Sequence, residues 1–158
     1  MMKLPPSGTR GFALPKIAQS IFRALAGFGY LVQRAMGDRM KVQGQRLLML
    51  TTVGAKTGKR RQASLARFTD PDHQGSWLIV GSNAGAVRHP GWCHNIVAHP
   101  DQVWITIAGV KSQVRPELLT PDERDKAWRM VISLAPGYRR YETTTDRQIP
   151  IFRLTPTN

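Results

Sequence analysis

The first regular pattern along the chain is a helical one between residues 15 and 36. Apolar residues recur there on one helical face, at Ile17, Ala18, Ile21, Phe22, Leu25, Phe28, Val32, Ala35 and Met36. This spacing predicts an amphipathic helix, and Pro15 suits its first position. Lys16, Arg23 and Arg34 lie off the apolar face. We favour a helix that packs on a protein core; the alternative is a basic helix that contacts a membrane or covers a ligand.

After this segment, short apolar runs separated by turn residues replace the helical pattern. They predict strands at Leu47–Val53, Arg61–Phe68, Trp77–Gly81, Val103–Ala108, Gln113–Leu118 and Ile149–Leu154. The turns at Gly54–Lys59 and Gly109–Lys111 join two pairs of these strands into hairpins. Helices are predicted at Trp92–Ala98, from the capping box of Thr120 and Glu123 to Leu134, and at Tyr138–Thr144. Hairpin-connected strands with marginal helices indicate a mainly β, antiparallel barrel or sheet rather than a doubly wound fold.

The length of 158 residues is that of one domain. We divide it into a flexible, Pro- and Gly-rich N-terminus over residues 1–14, the helix over residues 15–36 and a barrel over residues 37–158. No secretory signal precedes the helix, and no apolar stretch is long enough to span a bilayer. A cytoplasmic protein that is soluble or peripheral at the inner face of a membrane is therefore expected.

Positive charge is concentrated in the first half of the chain. The net charge is +13, and residues 1–69 contain 13 basic residues against one acid, whereas the remainder contains 10 basic and nine acidic residues. The first half is therefore expected to meet the anionic partner, which is nucleic acid, an anionic membrane or an anionic small molecule.

Several familiar site motifs are missing. There is no G-x-G-x-x-G dinucleotide motif and no G-x-S-x-G nucleophile motif. His89, His94 and His99 are five residues apart, which does not place them on one helix face as metal ligands, so no metal is predicted. Cys93, the single cysteine, excludes an intrachain disulfide, fits a reducing compartment and is interpreted as a packing residue.

Three segments carry candidate chemistry. The turn with Lys56, Lys59, Arg60 and Arg61 could bind phosphate or carboxylate, or it could be a solvated hairpin tip. The small residues of Gly81–Gly85 would let a flat ligand approach the backbone. The third segment holds Tyr138 and Tyr141 on one helix face, where they could line a site or pack in the core.

Taken in order, these segments resemble one family. The shared motifs are Leu50-Thr51-Thr52-Val53-Gly54-x-Lys56-Thr57-Gly58-Lys59-x-Arg61, Ser82-Asn83-x-Gly85, His89-Pro90-x-Trp92-x-x-Asn95, Pro136-Gly137-Tyr138-x-x-Tyr141 and Thr145-Asp146-Arg147-x-Ile149-Pro150. The chain is similar over residues 40–155 to the deazaflavin-dependent nitroreductases and quinone reductases, which have an FMN-binding-like split β-barrel and use coenzyme F-420. Ala55, Arg60 and Cys93 depart from the family pattern.

The resemblance implies a cofactor site. The phosphate and oligoglutamate tail of the coenzyme would contact Lys56, Thr57, Gly58, Lys59 and Arg61, and Ser64 is assigned to the same site. Ser82 and Asn83 would lie beside the deazaflavin ring, Gly85 would allow its approach, and Trp92 and Asn95 would close the pocket.

The resemblance also implies a reaction. Hydride would pass to a quinone, enone or nitroaromatic, and Ser82, Tyr138 or Tyr141 would hydrogen-bond the acceptor oxygen as charge develops there. The protein would be a monomer or homodimer that binds no nucleic acid. The alternatives are a split barrel that binds FMN, heme or lipid, and a basic nucleic-acid-binding barrel.

Overall fold

The computed structural model describes residues 1–13, 15–18, 21, 31–32, 35–36 and 39–157. Within the predicted helix, residues 16–18, 21, 31–32 and 35–36 are helical. Pro15 precedes the first helical residue, and the remaining residues of that prediction, including Arg23 and Arg34, lie outside the described residues. Among the residues described, no helix has the length and apolar character needed to cross a membrane.

The described part of the chain contains eight strands. Their bounds are Lys41–Val42 (β1), Gln45–Val53 (β2), Arg60–Ala66 (β3), Phe68–Thr69 (β4), Trp77–Val80 (β5), Trp104–Ile107 (β6), Val110–Leu118 (β7) and Ile151–Pro156 (β8). They form one sheet in the order β1-β2-β6-β7-β8-β5-β4, and β3 pairs with β2. Every strand pair is antiparallel.

The sheet curls because its two ends are consecutive pieces of chain. Strand β3 pairs with β2 up to the partners Ala66 and Leu47. Only Arg67 separates it from β4, whose Phe68 pairs with Leu78 of β5. The stretch from residue 60 to residue 69 therefore changes partner from one end of the sheet to the other, which gives the barrel that the sequence predicts.

Besides the helical residues between 16 and 36, three α-helices lie at the margins of the sheet in the described part of the chain. Their bounds are Gly91–Ala98 (α1), Pro121–Leu134 (α2) and Arg139–Thr144 (α3), and short 3₁₀ turns cover Asn83–Gly85 and Pro136–Tyr138. Helix α2 begins with the predicted capping box: Glu123 Oε2 accepts hydrogen bonds from the backbone N and the Oγ1 of Thr120, at 3.0 and 2.9 Å. These bonds satisfy donors that a helix start would otherwise expose.

The core has two parts because the central strands are buried on both faces. Leu48 and Leu50 of β2 pack with Ile79, Phe152 and the α1 residues Cys93 and Ile96. The neighbouring Leu47 points to the opposite face, where it belongs to a second buried cluster that includes Ala127, Trp128 and Val131 of α2. Helix α1 and the β2–β3 turn are thus fixed to the same rigid sheet.

Candidate cofactor-binding cleft

A cleft of about 1350 Å³ lies where the β2–β3 hairpin, helix α1 and the N-terminal segment meet. Its walls come from four pieces of chain: Ser7–Gly8, Gly54–Thr57 with Arg61–Ala63, Val87–His89, and the exposed side of α1 from Gly91 to Ala98. The cleft combines cationic side chains, small residues and one indole ring, that of Trp92.

The hairpin tip is a closed turn that displays cations. The backbone N–H of Gly54 donates to Lys59 O, and the N–H of Gly58 donates to Gly54 O, both at 2.8 Å. Gly58 has φ +66°, a conformation that favours glycine. Lys56 and Arg61 are exposed and line the cleft, and no acidic side chain in the described part of the chain forms an ion pair with either. Both charges are therefore available to an anionic ligand.

Asn95 fixes this turn to helix α1. Its Oδ1 accepts from the backbone N–H of Ala55 at 2.9 Å, and its Nδ2 donates to Thr52 Oγ1 at 3.0 Å. One turn of helix before it, Trp92 packs edge-on against the buried Phe152, with ring centroids 5.7 Å apart. The cation-bearing turn and the aromatic wall are thus held at a fixed spacing.

The loop from Gly81 to His89 is held by Arg147, which is 5% exposed. The guanidinium donates to Gly81 O at 3.0 Å, Ser82 O at 2.6 Å and Ala86 O at 2.8 Å. It also donates to His89 Nδ1 at 3.0 Å, so His89 Nε2 carries the proton and donates to Pro5 O at 2.8 Å. Burial, and secondarily the charge of Arg147, lower the pKa of His89 and keep the imidazole neutral.

The N-terminal segment packs against the same loop. Gly8 N–H donates to Val87 O at 2.9 Å and Phe12 N–H to Gly85 O at 3.0 Å. Asp146 accepts from the backbone N–H groups of Thr9 and Arg10, at 2.8 and 2.9 Å. The hydroxyl of Thr9, followed by the backbone of Arg10, lowers the pKa of Asp146 to about 2. Ser7 and Gly8 line the cleft, and these hydrogen bonds connect residues 8–12 to the loop from Gly81 to His89 and to Asp146. The flexible N-terminus over residues 1–14 stays a prediction.

The structure brings together five of the predicted cofactor residues. Lys56, Thr57, Arg61, Trp92 and Asn95 all line the cleft. Gly58 and Lys59 lie at the same hairpin tip but outside its lining, and Ser64 is exposed farther along β3, opposite Met49 of β2.

The ring-side residues lie along the loop held by Arg147. Ser82 is half-buried, and Asn83 is exposed and donates from Nδ2 to Arg88 O at 3.0 Å. Gly85 is buried at φ +75°, where a Cβ atom would stand 2.9 Å from Thr144 Cβ. None of these three is among the cleft-lining residues, although the same loop continues into the cleft wall at Val87.

The two predicted tyrosines lie apart from the cleft. Tyr138 is 7% exposed, and its ring contacts Phe68 and Tyr141, with centroids 5.7 and 5.3 Å apart. Burial raises the pKa of its phenol to about 12. Tyr141 lines a separate groove, where its hydroxyl accepts from Gln43 Nε2 at 3.1 Å. The catalytic roles of the tyrosines remain predictions.

The chemistry of the cleft is that of binding. Cys93 is fully buried, and burial raises the pKa of its thiol far above the ordinary value, so it is not a nucleophile at neutral pH. Among the described residues, no three His, Cys, Asp or Glu side chains are grouped to hold a metal ion. The cleft can hold an anionic group at Lys56 and Arg61 and a flat group beside Trp92.

Known proteins place this fold among the split-barrel reductases. The solved structure of an F420-H2 dependent reductase (FDR-A) matches with a TM-score of 0.59 and 32% identity, over 68% of this chain and 92% of that one. A second solved structure, described as a domain-swapped dimer, matches with a TM-score of 0.61 and 27% identity, over 85% of this chain and 98% of that one.

The sequence comparisons give the family. The family model of the F420H(2)-dependent quinone reductases matches residues 30–156. The F420H(2)-dependent quinone reductase Rv1261c of Mycobacterium tuberculosis is 39% identical over 111 residues, which cover 68% of this chain and 72% of that protein. The chain therefore belongs to the F420H(2)-dependent quinone reductase family. The predicted split barrel, the deazaflavin-dependent reductase class and coenzyme F-420 as cofactor are confirmed.

Proposed function

We propose that this reductase transfers a hydride to a quinone-like, enone or nitroaromatic acceptor while the cleft holds coenzyme F-420. When bound, the reduced coenzyme supplies the hydride. The observation that carries the proposal is the pairing of free cations with an aromatic wall in one cleft: Lys56 and Arg61 at its rim, and Trp92 inside it.

The residues present fit the charge of the coenzyme. Its tail carries a phosphate and carboxylates, which ammonium and guanidinium groups bind through charge-assisted hydrogen bonds. Lys56 and Arg61 line the cleft from the same hairpin and have no competing acid in the described part of the chain. Lys59 stands at the tip of that hairpin and would add long-range attraction.

The flat part of the coenzyme is assigned to the side of the cleft between Trp92 and the loop from Gly81 to His89. Ser82 and Asn83 lie on this loop, and their predicted contacts with the ring belong to this proposal. Tyr141 follows on the other side of the loop, because Gly85 packs against helix α3. The acceptor is assigned to the Tyr141 side of the loop. There the hydroxyl of Ser82 or Tyr141, or a water molecule, would donate a hydrogen bond to the acceptor oxygen as negative charge develops on it. The buried ring of Tyr138 would hold the ring of Tyr141 in place.

Turnover tests the proposed reaction. Purified protein is mixed with reduced coenzyme F-420 and menadione, and then with a panel of enones and nitroaromatics, while coenzyme oxidation is followed by absorbance. We expect oxidation that depends on both protein and acceptor. If no acceptor of any of the three classes supports oxidation above the protein-free rate, the proposal is wrong.

Peripheral membrane contact of the N-terminal helix is part of the same proposal. Ile17, Ile21, Leu31 and Met36 are 78%, 57%, 59% and 49% exposed. Exposed apolar side chains on a segment that also carries cations suit the interface of an anionic membrane. Quinones dissolve in lipid, so an enzyme at the cytoplasmic face of a membrane would meet its acceptor there.

Flotation with vesicles tests this contact. The full chain and its Ile17→Ser/Ile21→Ser variant are mixed with vesicles that contain anionic phospholipid. Val110→Ser is the matched control, because Val110 is 67% exposed on the β6–β7 hairpin. We expect the wild type and the control to float with the vesicles and the double variant to remain behind; equal flotation of all three would refute the contact.

A further inference from the structure

Arg147 is a buried cation that pairs with no acid. None of the ion pairs in the described part of the chain involves it, although burial of an unpaired charge is costly. Its donors are used on the loop from Gly81 to His89 instead, with three bonds to carbonyl oxygens and one to the imidazole of His89. A planar guanidinium with five donors can make this set, whereas an ammonium group cannot span it.

The loop that Arg147 binds has an unusual backbone. Asn83, Ala84 and Gly85 have φ values of 45°, 52° and 75° in succession. Left-handed conformations are costly for residues with a side chain, and they persist where surrounding contacts impose them. Arg147 bonds to Gly81 and Ser82 before these residues and to Ala86 after them. It therefore closes the strained turn from both sides.

The same guanidinium acts on a second wall of the cleft through His89. Because Arg147 donates to Nδ1, the proton of the neutral ring is on Nε2 and is donated to Pro5 O. Ser7 and Gly8, which follow Pro5 in the chain, line the cleft, and so does His89 itself. Arg147 is not among the lining residues, yet it fixes the shape of two of the walls.

We propose that Arg147 is a positioning residue for coenzyme binding, which rests on the proposed function of the cleft. It holds the loop from Gly81 to His89 in its left-handed form and, through His89, seats the N-terminal wall. Loss of the four hydrogen bonds from its guanidinium would leave the cations of the hairpin in place. It would displace the loop and the N-terminal wall, beside which the flat part of the coenzyme is proposed to bind.

The test compares two buried arginines. Arg147→Lys keeps the positive charge and removes the planar guanidinium that makes the four hydrogen bonds. Arg124→Lys is the control, because Arg124 is 9% exposed, donates from Nε to Ile149 O, and lies on α2 outside the cleft lining. Binding of oxidised coenzyme F-420 is measured by fluorescence titration, folding by urea midpoint, and KM and kcat with menadione as acceptor.

For Arg147→Lys we expect about a tenfold rise in coenzyme Kd, which is the fold-change for about 1.4 kcal/mol of binding free energy used to restore the displaced walls of the cleft. The KM for the coenzyme should rise with it, while the KM for menadione stays near the wild-type value. A role in folding alone would lower the urea midpoint and leave the Kd of the folded protein unchanged, and that result overturns the proposal. Equal Kd values for both lysine variants and the wild type overturn it as well.

Two further results are decisive. If Arg147→Lys does not fold, His89→Gln replaces it, because glutamine can still donate to Pro5 O but offers no acceptor at the Nδ1 position. A Kd raised about threefold or more supports the proposal, and a smaller rise or an unchanged Kd overturns it. If the wild type itself does not bind the coenzyme, the proposed function of the cleft is wrong and this inference with it; wild-type binding with unaffected variants rejects the inference alone.

Discussion

The cations of the β2–β3 hairpin give a quantitative prediction about coenzyme binding. Lys56→Ala and Arg61→Ala each remove one charge-assisted hydrogen bond to the tail, which is worth about 1.5–3 kcal/mol. Both side chains are exposed, so screening by water favours the lower end. A loss of about 1.5 kcal/mol corresponds to roughly a tenfold rise in Kd. The hydride step should change less, because the lost contacts lie at the tail.

Fluorescence titration with coenzyme F-420 measures the effect, at low and at high salt. Lys59→Ala is a graded control, since Lys59 shares the hairpin but lies outside the cleft lining, and we expect a smaller rise in Kd. Lys111→Ala is the outer control, because Lys111 stands over the Trp104 ring on another hairpin, and its Kd should not change. High salt should reduce the differences in Kd between these variants and the wild type, because it screens the charges. Unchanged affinity in both Lys56→Ala and Arg61→Ala would refute the assignment of the tail to this hairpin.

Three other predictions concern the frame around the cleft. A Cβ on Gly81 would stand 2.9 Å from Cys93 Sγ, so Gly81→Ala should lower the free energy of unfolding by about 1–3 kcal/mol; an unchanged urea midpoint would contradict the packing described. Asp70→Asn removes the carboxylate to which Nε of the buried Arg153 donates, while Glu117 and Glu123 remain beside its guanidinium. The substitution should cost about 1–3 kcal/mol, again measured with urea; a cost below about 1 kcal/mol would show that the pair is not buried as described. Because Tyr138 has a pKa raised from 10.0 to about 12, its folded state disfavours the phenolate, and stability should fall as pH rises from 10 to 12; Tyr138→Phe should abolish that pH dependence, and a wild-type curve that stays flat would contradict it.

Most of the sheet was predictable because a short apolar run bounded by turn residues is a local signal. The predicted strand Leu47–Val53 lies within the observed Gln45–Val53, and its turn to β3 is the predicted one. The two-residue strands β1 and β4 were missed, since so short a segment shows no period. The predicted strand Arg61–Phe68 is divided at Arg67 into β3, which pairs with β2, and β4, which pairs with β5. This change of partner follows from closure of the barrel and has no signal in the segment's own sequence.

The site was predictable where one segment supplies it. Lys56 and Arg61 belong to one hairpin and line the same cleft. The sequence shows Arg147 only as part of the Thr145–Arg147 motif, because its acceptors at Gly81 and His89 are 66 and 58 residues away. The N-terminal wall was missed for the same reason, since Pro5 meets His89 across 84 residues. Buried arginine and histidine side chains become visible as partners only when the fold has brought them together.

Tyr138 shows that sequence spacing does not distinguish a core residue from a site residue. Its spacing from Tyr141 is equally that of a helix face in a core and of two hydroxyls in a site. The structure gives Tyr138 aromatic neighbours on two sides and 7% exposure. Sequence pattern alone carries no information on which face of a short helix is covered.

The central claim is that the cleft binds a deazaflavin with an anionic tail. Parallel titrations of the purified protein with coenzyme F-420 and with FMN, followed by fluorescence, test it most directly. We predict saturable binding of coenzyme F-420 that weakens in Lys56→Ala and Arg61→Ala, with clearly weaker binding of FMN. Equal or tighter binding of FMN, or no saturable binding of coenzyme F-420, would contradict the account.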